Sequence, residues 1–261
     1  IELMKKVKIL IMGLPGSGKT FLAKRFSKLI DAEWLNADKI RGINNDWDFS
    51  NKGILRQVSR MRELADSSKK KYVVADFVCP LNIQIKIFKP NIIIWMDTIK
   101  KGRFPSMNKM FKKPEKYHLR IKEKDIKINL LKLKDKIFKY HWRNNSPTAL
   151  MLGRYQPWHY GHRKIFEKSL IATGQVLIFI KDVYKLGDNP FSFSQVKNFI
   201  LKDLVEFKNR FKVIKAPNIT NIFYGRKVGY KIKKISLDKN IQKISATKIR
   251  KKLRNLRKIN D

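Results

Sequence analysis

Two groups of residues in this 261-residue chain have the types and spacing needed to hold phosphate and move it. The first is Gly13-Leu14-Pro15-Gly16-Ser17-Gly18-Lys19-Thr20, which fits the P-loop pattern of Gly, four residues, then Gly-Lys-Ser/Thr. Gly13, Gly16 and Gly18 let amide hydrogens approach phosphate oxygens with no Cβ in the way. Lys19 can reach β- and γ-phosphates, and Thr20 can ligate magnesium. Further on, Asp38 can accept a hydroxyl proton or hold magnesium, and Arg41 can grip an anionic acceptor. Asp76 closes an apolar run as a Walker B carboxylate does, which makes it a second candidate magnesium ligand; a polar strand end is the equal alternative. The second group opens with Gly153-Arg154-Tyr155-Gln156-Pro157-Trp158-His159-Tyr160-Gly161-His162. Its His-x-Gly-His spacing sets His159 and His162 on one face of a helix start. There, two donors can stabilise charge growing on a nucleotide as pyrophosphate leaves. A zinc pair is the rival reading, but four histidines in all and a single cysteine give it little material. Ser245, Thr247, Lys248 and Arg250 add hydroxyls and positive charge at the start of a last helix.

Each group needs a strand and a helix to position it. Val7-Lys8-Ile9-Leu10-Ile11-Met12 reads as a buried strand before the P-loop, and the run from Lys19 to Ile30 reads as a helix with Phe21, Leu22, Phe26, Leu29 and Ile30 on one face. Short strands are expected at Ala32–Leu35, Lys71–Asp76 and Ile92–Met96, with a helical stretch from Ile54 to about Asp66. In open parallel sheets ligands bind beyond the carboxyl ends of the strands, which places Asp38 and Arg41 on the acceptor side. The basic segment 100–116 suits a lid that closes over phosphates and equally suits a solvated face. Residues 122–140 read as a connecting helix. The pattern breaks at His141–Pro147, so the expected division is a kinase-type domain over 4–145 and a second domain over 146–261. In the second, strands are expected at Gln175–Ile180 and Phe211–Ile214. The fold class is therefore α/β in both halves. Met4 precedes a plausible start, and residues 1–3 receive no role.

Composition narrows the classes. The chain is 43% hydrophobic, enough for two cores. One cysteine, Cys79, rules out an intramolecular disulfide framework and suits a reducing cytoplasm. The longest apolar runs are too short to span a membrane. Lys+Arg 60 against Asp+Glu 21 gives a net charge of +39, which attracts any polyanion. Lysine exceeds arginine roughly threefold and occurs along the whole chain, which resembles compositional bias more than a designed stripe. Nucleotide and phosphate substrates are thus favoured over a nucleic-acid partner, and the sequence carries no signal for an oligomeric state.

Residues 7–98 resemble an adenylylsulfate kinase. The P-loop, Leu35-Asn36-Ala37-Asp38-Lys39-Ile40-Arg41, Asn44-Asn45-Asp46-Trp47-Asp48-Phe49-Ser50, Val78-Cys79-Pro80 and Met96-Asp97-Thr98 occur in that family's order. The resemblance implies ATP- and Mg2+-dependent phosphorylation of a hydroxyl on a small anionic molecule. It carries over Ser17, Lys19 and Thr20 as ATP-site residues, and Asp38 and Arg41 as acceptor-site residues. The chain departs from the family at Ile54 and Gln57, which stand where an arginine and an asparagine are expected, and at Asp76, which replaces a small residue. Residues 148–257 resemble the HxGH nucleotidyltransferase superfamily, with Rossmann-like topology. The Gly-Arg-Tyr-Gln-Pro opening and Asn189-Pro190-Phe191 are most similar to archaeal-type nicotinamide-mononucleotide adenylyltransferases. That resemblance implies adenylyl or cytidylyl transfer from ATP or CTP. It makes His159 and His162 triphosphate ligands, and has Ser245, Thr247 and Arg250 close over the nucleotide beside Gly153 and Arg154. Phe193-Ser194-Gln195 departs from the run expected after Asn-Pro-Phe. Together the two halves imply a bifunctional transferase. The alternatives are a polynucleotide end-processing kinase and a kinase–adenylyltransferase of nicotinamide salvage.

Overall fold

The computed structural model describes residues 6–223, 225, 229, 231–256 and 259; Met4 and residues 1–3 lie outside them. The chain divides into two compact units, Ile1–Phe138 and Lys139–Asp261. The division falls before the expected one at 145/146 because the intervening residues are tied to the second unit. Tyr140 Oη donates to Gln175 Oε1 at 3.0 Å, and Gln175 Nε2 donates to the Arg143 carbonyl at 2.7 Å.

The first unit is a five-stranded, wholly parallel sheet in the order β2-β3-β1-β4-β5. Its strands are β1 (Val7–Gly13), β2 (Glu33–Asn36), β3 (Tyr72–Phe77), β4 (Ile92–Met96) and β5 (Leu119–Ile121). β1 lies at the centre, paired to β3 on one side and β4 on the other. Ile9, Leu10, Ile11 and Met12 are all fully buried, as a parallel strand covered on both faces requires. Leu10 and Met12 join a core with Val58, Met61 and Ala65 of α3 (Asn51–Ser67) and Phe88 of α4 (Asn82–Phe88). Ile9 and Ile11 join the opposite core with Leu22, Ala23 and Phe26 of α1 (Lys19–Leu29) and Leu133 of α6 (Ile126–Ile137). Between these lie α2 (Ala37–Ile43) and α5 (Pro105–Met110).

The structure differs from the sequence reading in several places. Phe21 and Leu29 are 52% and 49% exposed, so the buried stripe of α1 is Leu22, Ala23, Phe26 and Ile30. The helix at 122–140 is not a connector. Its Ile126, Leu130, Leu133 and Ile137 recur at helical spacing and pack into the core that holds Ile9 and Ile11. β5 was not foreseen, since three residues are too few to show alternation. β3 also runs one residue beyond Asp76, to Phe77.

The second unit is a three-stranded parallel sheet in the order β6-β7-β8: β6 (Ala149–Gly153), β7 (Val176–Lys181) and β8 (Phe211–Ala216). After β6 comes α7 (Tyr160–Thr173), and before β8 come α8 (Phe193–Asp203) and a single 3-10 turn, Val205–Phe207. Phe166, Leu170, Val196, Ile200 and Leu204 are fully buried with Val176 and Ile178 of β7. Short α9 (Lys239–Gln242) and then α10 (Ala246–Asn255) follow. No helix among the described residues is long and apolar enough to cross a membrane.

Candidate phosphate sites

In the first unit the turn between β1 and α1 is tight. Gly13 has φ +150°, and a Cβ there would lie 2.4 Å from the Met96 carbonyl, so only glycine permits β4 to pass so near. Gly18, at φ +92°, stands immediately before α1 and turns the chain into it. The Thr98 hydroxyl donates to the Ser17 carbonyl at 2.7 Å, tying the loop to the end of β4. Ser17 itself is fully buried, and its Oγ has no hydrogen-bond partner. Lys19 is 8% exposed and donates from Nζ to the Leu14 carbonyl at 3.0 Å. Burial pushes its ammonium down to about 8, against the opposing charges of Asp76 and Asp38.

Asp76 sits on β3 beside Asn36 of β2, its partner in the strand register. The Thr20 hydroxyl donates to Asp76 Oδ2 at 2.7 Å, Asn36 Nδ2 to the same oxygen at 3.0 Å, and Trp34 Nε1 to Oδ1 at 2.6 Å. Burial raises the carboxyl above its ordinary range, while these donors and the Lys19 charge pull it back. Asn36 also caps α2, its Oδ1 accepting from the Lys39 amide at 3.0 Å. Asp38 is exposed in the first turn of that helix. The structure joins Thr20 to Asp76 and sets Lys19 within reach of the charges of Asp76 and Asp38; Trp34 and Asn36 were missed by sequence reasoning. Period-two alternation along β2 puts those two on one side, next to Asp76, and was the available signal. The oxygens of Thr20 and Asp76 suit Mg2+, a hard cation that takes few protein ligands and completes its shell with phosphate oxygens and water.

Arg41 is placed differently from the expectation. It is 5% exposed, and its Nη1 donates to the Asp46 and Asp48 carbonyls, both at 2.9 Å, while the guanidinium stacks over Phe49 at 4.7 Å. Arg56 grips the Asp46 carboxylate through two nitrogens at 2.8 and 2.7 Å, and Arg60 adds a third contact at 3.1 Å. Gln57 is buried, donating to the Ala37 carbonyl at 3.1 Å. Arg41 therefore braces the 44–50 loop. In the 100–116 segment, Asn108 Nδ2 donates to the Gly102 carbonyl, and its Oδ1 accepts from the Gly102 amide. A Cβ on Gly102 would approach the Pro15 carbonyl to 2.8 Å, so this segment packs directly on the P-loop.

In the second unit His159 is the N-cap of α7. Its Nδ1 accepts from the Gly161 amide at 3.1 Å, and His162 Nδ1 accepts from the His159 amide at 3.3 Å. The rings stack with centroids 3.8 Å apart. Burial lowers both imidazoles, His162 to about 3 with the neighbouring His159 adding to the shift. Because both Nδ1 atoms accept, the neutral rings carry their protons on Nε2 and remain donors. Gly153 lies under the Tyr155 ring, where a Cβ would meet carbon at 2.8 Å. A cavity of about 150 Å³ is lined by Arg154, Tyr155, Gln156, His162, Ala246 and Arg250. It brings together three of the predicted ligands, Arg154, His162 and Arg250; Gly153, His159, Ser245 and Thr247 are outside its lining. Ser245 caps α10 through the Lys248 amide at 3.2 Å, and Thr247 Oγ1 accepts from Arg250 at 3.3 Å. Arg250 is 8% exposed, ion-paired to Asp188 and donating to the Gln156 carbonyl. Asp188 is a partner the sequence did not mark. No group of three or more His, Cys, Asp or Glu side chains that could hold a metal occurs among the described residues.

No protein-family model and no curated protein matches the chain. Among solved structures, the Mycobacterium tuberculosis APS kinase in complex with AMPPNP and APS is 18% identical. That match covers 51% of this chain and 98% of that one, with a TM-score of 0.45. Shikimate kinase from Acinetobacter baumannii in complex with shikimate is 15% identical over 51% of this chain and 94% of that one, with a TM-score of 0.40. These likenesses fall on the first half of the chain.

Proposed function

We propose that the first unit is an ATP-dependent phosphotransferase acting on a hydroxyl of a small anionic molecule. The observation that carries this is the Thr20 hydroxyl 2.7 Å from the buried Asp76 carboxylate, one residue beyond Lys19 in an intact P-loop. Mg2+ held by Thr20 and Asp76 would neutralise charge on the β- and γ-phosphate oxygens. The loop amides and the N-terminus of α1 bind the phosphates, Lys19 leaves the Leu14 carbonyl for the transferring group, and Asp38 accepts the acceptor's hydroxyl proton. The test is product identification from ATP with a panel of small hydroxylated anions, adenylylsulfate included, and with 5′-hydroxyl oligonucleotides. Turnover of the oligonucleotides alone would replace this reading with an end-processing kinase.

For the second unit we propose nucleotidyl transfer with release of pyrophosphate. The stacked His159–His162 pair at the start of α7 supports it, with His162 in one cavity lining with Arg154 and Arg250. The two Nε2–H donors and the helix N-terminus would stabilise charge on the departing pyrophosphate. Pyrophosphate release from ATP or CTP with phosphorylated acceptors tests it, and absence of release from both with every acceptor would overturn it.

A further inference from the structure

Asp76 is held by more than the hydroxyl it shares with the P-loop. Its two oxygens are divided. Oδ2 takes the Thr20 hydroxyl and the Asn36 amide, whereas Oδ1 takes the Trp34 indole alone, at 2.6 Å. A carboxylate on a strand has one soft torsion that can turn either oxygen toward the phosphates. The rigid indole removes that freedom. Trp34 is itself fixed: it packs against the core that contains Ile9, Leu22 and Phe26, and Lys39 Nζ sits 4.7 Å over its ring. Asn36 uses its other end to cap α2, the helix that carries Asp38.

We infer that Trp34 is a positioning residue that locks the Asp76 carboxylate with Oδ2 toward Thr20, so that the magnesium ligands are set before nucleotide arrives. The inference rests on the phosphotransferase reading of the first unit. Trp34 bonds to the Asp76 carboxylate through its indole. It acts through Asp76, as outer partners that orient metal-binding carboxylates do.

The chain has five tryptophans, so 15N-labelled protein gives few indole N–H resonances, and Trp34→Phe identifies the one from Trp34. Asp76→Asn should move that resonance while the other four stay in place, and Mg2+ with a non-hydrolysable ATP analogue should move it in the unmodified protein. Trp34→Phe should raise the Mg2+ concentration for half-maximal ATP turnover about tenfold. Excess Mg2+ should restore the maximal rate, and nucleotide binding without metal should be unchanged. Asn36→Leu, which leaves the indole in place, should keep the Trp34 resonance responsive to Mg2+, and so provides the test if Trp34→Phe misfolds. A Trp34 resonance indifferent to both Asp76→Asn and Mg2+, or an unaltered Mg2+ requirement in folded Trp34→Phe, would overturn the inference. Failure of the unmodified protein to bind or turn over ATP would overturn the phosphotransferase reading itself, while the Asp76→Asn spectrum still reports the contact separately.

Discussion

Lys19 is the residue at which burial and function meet most directly. Its ammonium is charged below about pH 8 and loses its proton above, so affinity for ATP should fall as pH rises from 7 to 9, by up to about tenfold. Lys19→Met should bind ATP weakly at both pH values, and calorimetric titration would show whether the dependence vanishes with it. Asp38, exposed and in the first turn of α2, predicts a different signature. Asp38→Asn should lower kcat by orders of magnitude with ATP affinity kept, as expected for a proton acceptor rather than a metal ligand. His162 predicts a stability effect. Its folded value, about 3, lies below its unfolded value near 6.5, so the unfolded chain binds the extra proton within that window and acid favours unfolding. Between pH 7 and 5 the second unit should lose about 2 kcal/mol, and urea unfolding of His162→Asn should show that slope reduced.

The elements that position these residues were legible where their periodicity was long. β1 and α1 follow from the runs on either side of the glycine turn, β4 from its apolar run, and α7 from the histidine spacing at its start, and the P-loop context follows with them. Phe26 is the side chain that anchors α1 to the sheet, fully buried among Ile9, Ile11 and Leu22. Phe26→Ala should cost about 3–5 kcal/mol, measured by denaturant unfolding, and loosen the helix whose first residues are Lys19 and Thr20. What escaped sequence reasoning were contacts made across strands. Trp34 and Asn36 meet Asp76 only because β2 and β3 are neighbours in register, a pairing no local pattern announces. The Arg250–Asp188 pair likewise joins residues 62 apart. β5 is too short to read, and the stripe of α6 was hidden by its many lysines.

Across the whole molecule the positive charge is uneven in a way that its even scatter of lysines conceals. Residues 208–258 contain 18 Lys and Arg against one acidic residue, whereas the rest of the chain contains 42 against 20. On α10 the exposed positions include Lys248, Lys251 and Lys252. A uniform compositional bias would not concentrate cations in this way. Binding of a non-substrate oligonucleotide should therefore weaken steeply with salt and depend on this stretch. Replacing Lys248, Lys251 and Lys252 by Gln should lower the slope of log affinity against log salt, and an unchanged slope would place the contact elsewhere.

The central position of β1 has a kinetic meaning. Its two neighbours, β3 and β4, are made only after some sixty and eighty further residues, and both pairings are parallel. Until then Val7–Gly13 is an unpaired apolar strand, with nothing to hold the glycine turn that follows it. The phosphate loop thus cannot close until β3 and β4 have followed β1, and refolding of that unit should be limited by long-range strand pairing.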